Sequence, residues 1–240
     1  MSFIKKFEVG AGGVVSLLKK GDEVFVYKRP HGTFEPSQLI EYQVQLALWK
    51  RYGDGFVKPL FSEMKDNRLC FAMEWFQGKH FEMENVKDVE KVTKTLCRCF
   101  QAMEEEGVYN QDIGPHNILW NKQTDDIKII DFGMVVRYQN ETEKKRFDIG
   151  PSFPPIEYED LESMFVTREE ASKVQVWMLG DLLLQILTAN DEVERVKWCD
   201  GREAFEQSVQ KLCEGSERFI ERAILASLQR EPRDRKILLE

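Results

Sequence analysis

No apolar run in this 240-residue chain is long enough to span a bilayer; the longest, Val176–Leu187, is short and broken by Asp181. The N-terminal stretch MSFIKKFEVG lacks the apolar core of a secretory signal, so export is not expected. Basic residues occur only in small groups such as Lys5-Lys6, Lys19-Lys20 and Lys144-Lys145-Arg146, and the formal net charge is −8. A nucleic-acid groove needs a continuous basic face, so nucleic acid is not an expected partner. Cysteines are few. Cys70, Cys97, Cys99, Cys199 and Cys213 are odd in number and lack metal-ligand spacing, and Cys97 and Cys99, two apart in a helical pattern, should point to different faces. Reduced thiols in a cytoplasmic protein are the expectation. The sequon Asn140-Glu141-Thr142 points the other way, but such triplets are common by chance. Repeats and low-complexity tracts are missing as well.

What remains is an ordinary globular composition, 42% hydrophobic and 32% charged, in a chain that can form one large domain or two small lobes. The first third reads as β-rich. Phe7–Gly13 ends in glycines, Val14–Lys20 is apolar, Gly21-Asp22 signals a turn and Val24–Lys28 alternates as a strand. A helix should open at Pro36-Ser37, with Leu39, Ile40, Val44, Leu46, Ala47 and Leu48 on its buried side. Strands are expected over Val57–Phe61 and Leu69–Trp75, and Gln77-Gly78 is a natural break.

The remaining two thirds read as helical. Val89, Val92, Leu96, Phe100 and Met103 recur at helix spacing and end at Gly107. Pro151–Pro155 marks an extended segment, Val174–Leu187 is apolar almost all round, and amphipathic helices are expected near Arg202–Leu212 and Ser216–Leu228.

The most informative stretch is Tyr109–Arg137. Asp112 is followed five residues later by Asn117, then by the apolar Ile118–Trp120; a second apolar run, Ile127–Ile130, ends in Asp131-Phe132-Gly133. Two Asp and one Asn placed on loops and strand ends make a set of hard oxygen ligands suited to Mg²⁺ and phosphate. Capping side chains on turns would explain any one of them, but not three in register with their apolar flanks. The order D-x4-N, apolar strand, DFG resembles the catalytic loop and metal-binding segment of the protein-kinase superfamily. Shorter matches extend the resemblance over nearly the whole chain: FAMEW (Phe71–Trp75), FPPIE (Phe153–Glu157), VQVWMLGDLLLQILT (Val174–Thr188) and REPRDR (Arg230–Arg235).

That resemblance implies an α+β, bilobal protein-kinase-like fold, with a β-rich N-lobe carrying one helix over residues 1–76 and a mainly helical C-lobe over 77–240. It implies ATP and Mg²⁺ as cofactors and a protein hydroxyl as substrate. Asp112 would accept the hydrogen bond of the substrate hydroxyl, Asn117 and Asp131 would ligate Mg²⁺, and Lys28 in VFVYKR would grip the α- and β-phosphates. Glu41 is the expected partner of Lys28, although it lies closer in sequence than the family usually places it; Gln45 occupies the other plausible register. Met73 would be the gatekeeper, with Glu74 and Phe76 presenting backbone groups to adenine. Gly10, Gly12 and Gly13 fit either a phosphate cover or plain hairpin chemistry, because the family's third glycine is replaced by Val14-Val15. Glu157 and Arg235 would form a buried ion pair.

The pattern also departs from the family. Asn110-Gln111 replaces the His-Arg before the catalytic Asp, which removes the cation that would receive an activation-loop phosphate. Gly114 stands in place of the lysine of serine/threonine kinases, His116 where tyrosine kinases often carry Arg, and Gln175 in place of the Asp that anchors the catalytic loop. Three functions stay open at this point: an active divergent protein kinase, a kinase-fold enzyme acting on a small molecule, sugar or lipid head group, and a pseudokinase serving as a nucleotide-binding or scaffolding module.

Overall fold

The computed structural model describes residues 2–10, 13–33, 35–148, 163–190 and 202–239. The chain divides into two compact units: Met1–Gln77 with Lys128–Gly133, and Gly78–Ile127 with Met134–Glu240. The first division falls between Gln77 and Gly78, and the Asp-Phe-Gly segment groups with the first unit.

The first unit is an antiparallel sheet of β1 (Ser2–Gly10), β2 (Gly13–Lys20), β3 (Glu23–Arg29), β4 (Pro59–Lys65) and β5 (Arg68–Glu74), in the order β1-β2-β3-β5-β4. Its hairpins are set by local chemistry. Asp66 and Asn67 both adopt left-handed φ (50° and 56°) between the paired Lys65 and Arg68, as a tight two-residue turn requires. Gly13 sits at φ +146°, where a Cβ would lie 2.5 Å from the Arg29 carbonyl oxygen, so only glycine fits. β4 runs four residues further than the apolar pattern indicates. It is an edge strand, exposed from Leu60 onward, so no hydrophobic alternation marks it.

The helix α1 spans Pro36–Arg51, with proline in the first turn and Lys50 and Arg51 in the last, where cations favour the dipole. Its buried face differs from the expected one. Val44 and Leu48 are buried, but Leu39 and Ile40 are exposed, and Gln38, Glu41 and Gln45 take their place. Each has a specific partner. Gln38 accepts the Leu69 N–H (3.1 Å) and donates to the Thr33 carbonyl (3.1 Å), while Gln45 donates to the Val57 carbonyl (3.1 Å). Polar partners in the sheet and its loops, together with buried Val44 and Leu48, set which face of this helix is buried.

The second unit begins with β6 (Lys79–His80) and α2 (Val89–Glu105), which Asp88 caps by accepting the Lys91 N–H at 2.9 Å. α2 ends before Gly107, whose φ is 63°. Cys97 and Cys99 do point to different sides, yet both are buried, because α2 is covered on more than one face. Then come β7 (Val108–Asn110), β8 (Ile118–Asn121) and β9 (Asp126–Ile129), whose last two residues belong to the first unit. β10 (Val135–Arg137) pairs with β7, and β11 (Lys145–Asp148) with β12 (Ser163–Val166). The helix α3 (Arg168–Asn190) is buried round almost its whole circumference, and α4 (Arg202–Cys213) and α5 (Phe219–Ser227) follow. The architecture is α+β, a β-rich part followed by a mainly helical one. Among the described residues, no helix is long and apolar enough to cross a membrane.

Candidate active site

In the first unit, β3 delivers Lys28 into the space beneath the sheet, where it is 6% exposed. Its Nζ meets Glu41 Oε1 at 2.5 Å and Asp131 Oδ1 at 3.2 Å. Gln45, the other register, is engaged elsewhere by the Val57 carbonyl and by Met73 Sδ at 3.8 Å. Burial alone would favour neutral Lys28, but the Glu41 and Asp131 carboxylates outweigh it and hold the ammonium above the ordinary lysine value. Burial also pushes Glu41 upward against the pull of Lys28. We take the pair as ionised, because neutral Glu41 would leave a buried ammonium with only a half-exposed carboxylate.

Asp131 adopts a left-handed φ of 61°, a strained conformation that Asp tolerates better than most side chains, and its Oδ1 also accepts the Gly133 N–H at 3.2 Å. Packing imposes that geometry. Phe132 is wholly buried with its ring 6.0 Å from that of Phe56. Ile129 bridges to Phe56, and Lys128 Nζ donates to the Gly53 and Phe56 carbonyls at 2.7 and 3.2 Å. Half-buried Met73 pairs with Val26 across β5 and β3. Glu74 is more occupied than its sequence suggests. Its N–H donates to the Lys58 carbonyl (2.8 Å) and its carboxylate accepts the Lys58 N–H (2.9 Å), so an adenine contact would fall to its carbonyl. Phe76 is half-buried. Gly10 pairs with Gly13 at the end of the β1–β2 hairpin, and Gly12 lies outside the described residues, as do FPPIE and its Glu157.

In the second unit, Asp112 lies on the turn after β7, held on two sides. Asn117 Nδ2 donates to its backbone carbonyl (2.7 Å) and to Oδ2 (2.9 Å); His116 Nε2 lies 3.2 Å from Oδ1. Because Asn117 turns its amide N–H groups to Asp112, its Oδ1 is the atom left for a cation. The loop is anchored by neutral amides. Asn110 Oδ1 accepts the Asp112 N–H at 3.0 Å, and Gln175 Oε1 on α3 accepts the Asn110 N–H at 2.8 Å. Gln111, at the position of the missing Arg, accepts the Asp148 N–H at 2.9 Å and so ties β11 to the loop.

Gly114 has a steric reason as well. A Cβ there would lie 2.8 Å from the His116 ring, so a lysine at 114 is incompatible with the imidazole beside Asp112. The place of His116 beside Asp112 left no signal in the sequence, because i, i+4 spacing does not bring side chains together in a loop. Asp125 gave no signal at all, yet its carboxylate is buried and accepts Trp120 Nε1 (2.9 Å), Lys87 N (3.0 Å) and Asp88 N (2.8 Å), fixing β8 to the start of α2.

Arg235 is 1% exposed, stacks over the Trp177 ring at 4.6 Å and donates to the Gln229 carbonyl at 2.9 Å.

A β-rich unit with one helix and a mainly helical unit are together the architecture of a protein-kinase-like fold. The family model described as protein kinase domain matches residues 20–224, and the chain belongs to that family. It is similar to the serine/threonine-protein kinase Kist of Mus musculus, Rattus norvegicus and Homo sapiens, 24% identical to each over 103 residues. That match covers 42% of this chain and 25% of each relative, so it spans about a quarter of the length of these curated proteins.

Proposed function

We propose that this protein kinase family member is an active phosphotransferase that moves the γ-phosphate of ATP to a protein hydroxyl. The observation that carries the reading is the Lys28–Glu41 pair at 2.5 Å, since a lysine without its carboxylate would not be held in place to grip phosphate. In this reading Lys28 grips the α- and β-phosphates, held by Glu41. Asp112 accepts the hydroxyl's hydrogen bond; both its oxygens are oriented, by Asn117 and by His116, and a carboxylate retains lone pairs for a third partner. Met73, with the carbonyl of Glu74 and the backbone of Phe76, borders the adenine.

Asp131 and the Oδ1 of Asn117 are hard oxygen donors that fit Mg²⁺, which takes one or two protein oxygens together with substrate phosphates. When bound, the ion neutralises charge developing on the transferred phosphoryl group. The similarity to a serine/threonine-protein kinase favours a serine or threonine hydroxyl, with Gly114 in place of the lysine and His116 beside the Asp. The four described free cysteines are all buried, which suits a reducing cytoplasmic setting.

The test is transfer of labelled γ-phosphate from Mg-ATP by wild type beside Asp112→Asn, following the protein itself, generic protein substrates and free phosphate. A loss of about 10²-fold or more in transfer to protein, with nucleotide binding retained, is expected of a removed general base. Free phosphate alone, which reports transfer to water, would leave a small-molecule acceptor open. Equal rates in both proteins would overturn the assignment of Asp112, and turnover absent from both would favour the nucleotide-binding or scaffolding reading. That last reading gains from Gly13, whose conformation is explained by its approach to Arg29 without any phosphate.

A further inference from the structure

Successive residues of β3 face opposite sides of the sheet, so Tyr27 and Arg29 lie on the face away from Lys28. That outer face holds a cavity of about 450 Å³ whose polar lining is Lys6 from β1, Ser16 from β2, Tyr27 and Arg29 from β3, His31 just beyond it, Lys65 from β4 and Arg68 from β5. No carboxylate lines it, although the chain carries a net charge of −8.

Two nearby acids are each bonded to a lining residue. Asp66 pairs with Arg29 at 3.2 Å on an exposed rim, and Glu63 accepts the Tyr27 hydroxyl at 2.7 Å. Lys6, Lys65 and Arg68 make no ion pair among the described residues. Arg68 adds an independent sign of a ligand: its Nε is buried and has no hydrogen-bond partner. A buried donor left unmade is costly, and the half-buried guanidinium turning toward an incoming acceptor would relieve that cost.

We propose that this pocket binds the phosphoryl group of a phosphorylated serine or threonine in a partner peptide. A guanidinium fork flanked by ammonium groups and a hydroxyl is the donor set that recognises a tetrahedral dianion. The same cavity is bordered by Val14, Leu18 and Pro30, which give the residues flanking a phosphoserine an apolar surface. A membrane surface fits less well, because the cations line a concavity and the acidic chain is repelled by anionic lipid. The site stands apart from the transfer chemistry, and its readout is binding, so a failure of the phosphotransferase reading would leave it intact.

The experiment is fluorescence polarisation of the whole chain with a short phosphoserine peptide of otherwise alanine and glycine sequence, beside its unphosphorylated form. Wild type should bind the phosphopeptide alone. Arg68→Gln and Lys65→Glu should each weaken binding by about tenfold or more, as losing a bond to a charged group does. Lys65 is exposed, so Lys65→Glu should melt as wild type does and keeps the test valid if Arg68→Gln folds poorly. Equal binding of the unphosphorylated peptide, or unchanged binding in both variants, would overturn the site. Binding of inositol hexakisphosphate, or of vesicles containing phosphatidylinositol bisphosphate, without binding of the peptide would overturn the peptide assignment in favour of those anions.

Discussion

The Lys28 cluster of the first unit and the Asp112 loop of the second carry residues of the same proposed chemistry but are built differently. Lys28 is held by charge, with Glu41 at 2.5 Å and Asp131 at 3.2 Å around a buried ammonium. The Asp112 loop is held by amides: Asn110, Gln111, Asn117 and Gln175 supply its anchoring bonds, and none is ionised. Charges in a buried cluster support one another strongly and fail together, because removing one leaves another desolvated and unpaired. Amides give up less when one is lost and are indifferent to pH. The loop thus keeps its geometry where Asn110-Gln111 replaces His-Arg, and the Gln111 contact with Asp148 takes a backbone N–H where a cation would take a phosphate.

The largest effect should come from breaking the charged cluster. Glu41→Gln keeps the shape and removes the charge, leaving Lys28 buried with only Asp131, whose side chain is 44% exposed. A loss of about 3 kcal/mol is expected in denaturant unfolding. A loss below about 1 kcal/mol would mean that charge does not hold this helix to the sheet.

The cluster should also show itself in alkali. Lys28 is raised in the folded chain, so its contribution is complete below the ordinary lysine value and is lost as pH climbs through the higher folded one. Tyr27, pushed up chiefly by burial, loses stability in the same range. The informative quantity is therefore the difference between wild type and Glu41→Gln, which should shrink above about pH 10. A difference constant to higher pH would contradict the raised Lys28.

Legibility in the sequence follows the same division. The Asp112, Asn117 and Asp131 positions could be read because residue type and short spacing determine them, and the strand lysine could be read from its β context. The rotation of α1 could not. Leu39 and Ile40 suggest an apolar stripe, while the buried face is chosen by Leu69, Val57 and Lys28, partners distant in sequence. The roles of Gln111 and Asp125 were hidden for the same reason, since their partners Asp148 and Lys87-Asp88 lie 37 and 37–38 residues away. The last four residues of β4 escaped because an exposed edge strand carries no hydrophobic period.

On the amide side the effects should be smaller and flat in pH. Gln175→Ala leaves the buried Asn110 N–H without its acceptor, and about 2 kcal/mol is expected, equal at pH 6 and pH 9. A marked pH dependence would show that a titrating group, not a neutral amide, holds the loop.

The smallest and most local change is Gln111→Ala. Gln111 is buried, but the bond it loses joins it to a partly buried N–H at the end of β11, which water can reach in its place. About 1 kcal/mol is expected, too little to separate from ordinary surface effects in a global melt. Hydrogen exchange resolves it. The Asp148 amide should exchange faster in the variant, while amides of α1 and β3, which belong to the charged cluster, should keep their wild-type protection. Faster exchange in α1 as well would mean that the two clusters are energetically one, and the contrast between a charged and a neutral construction would then describe residue types and not separable units of stability.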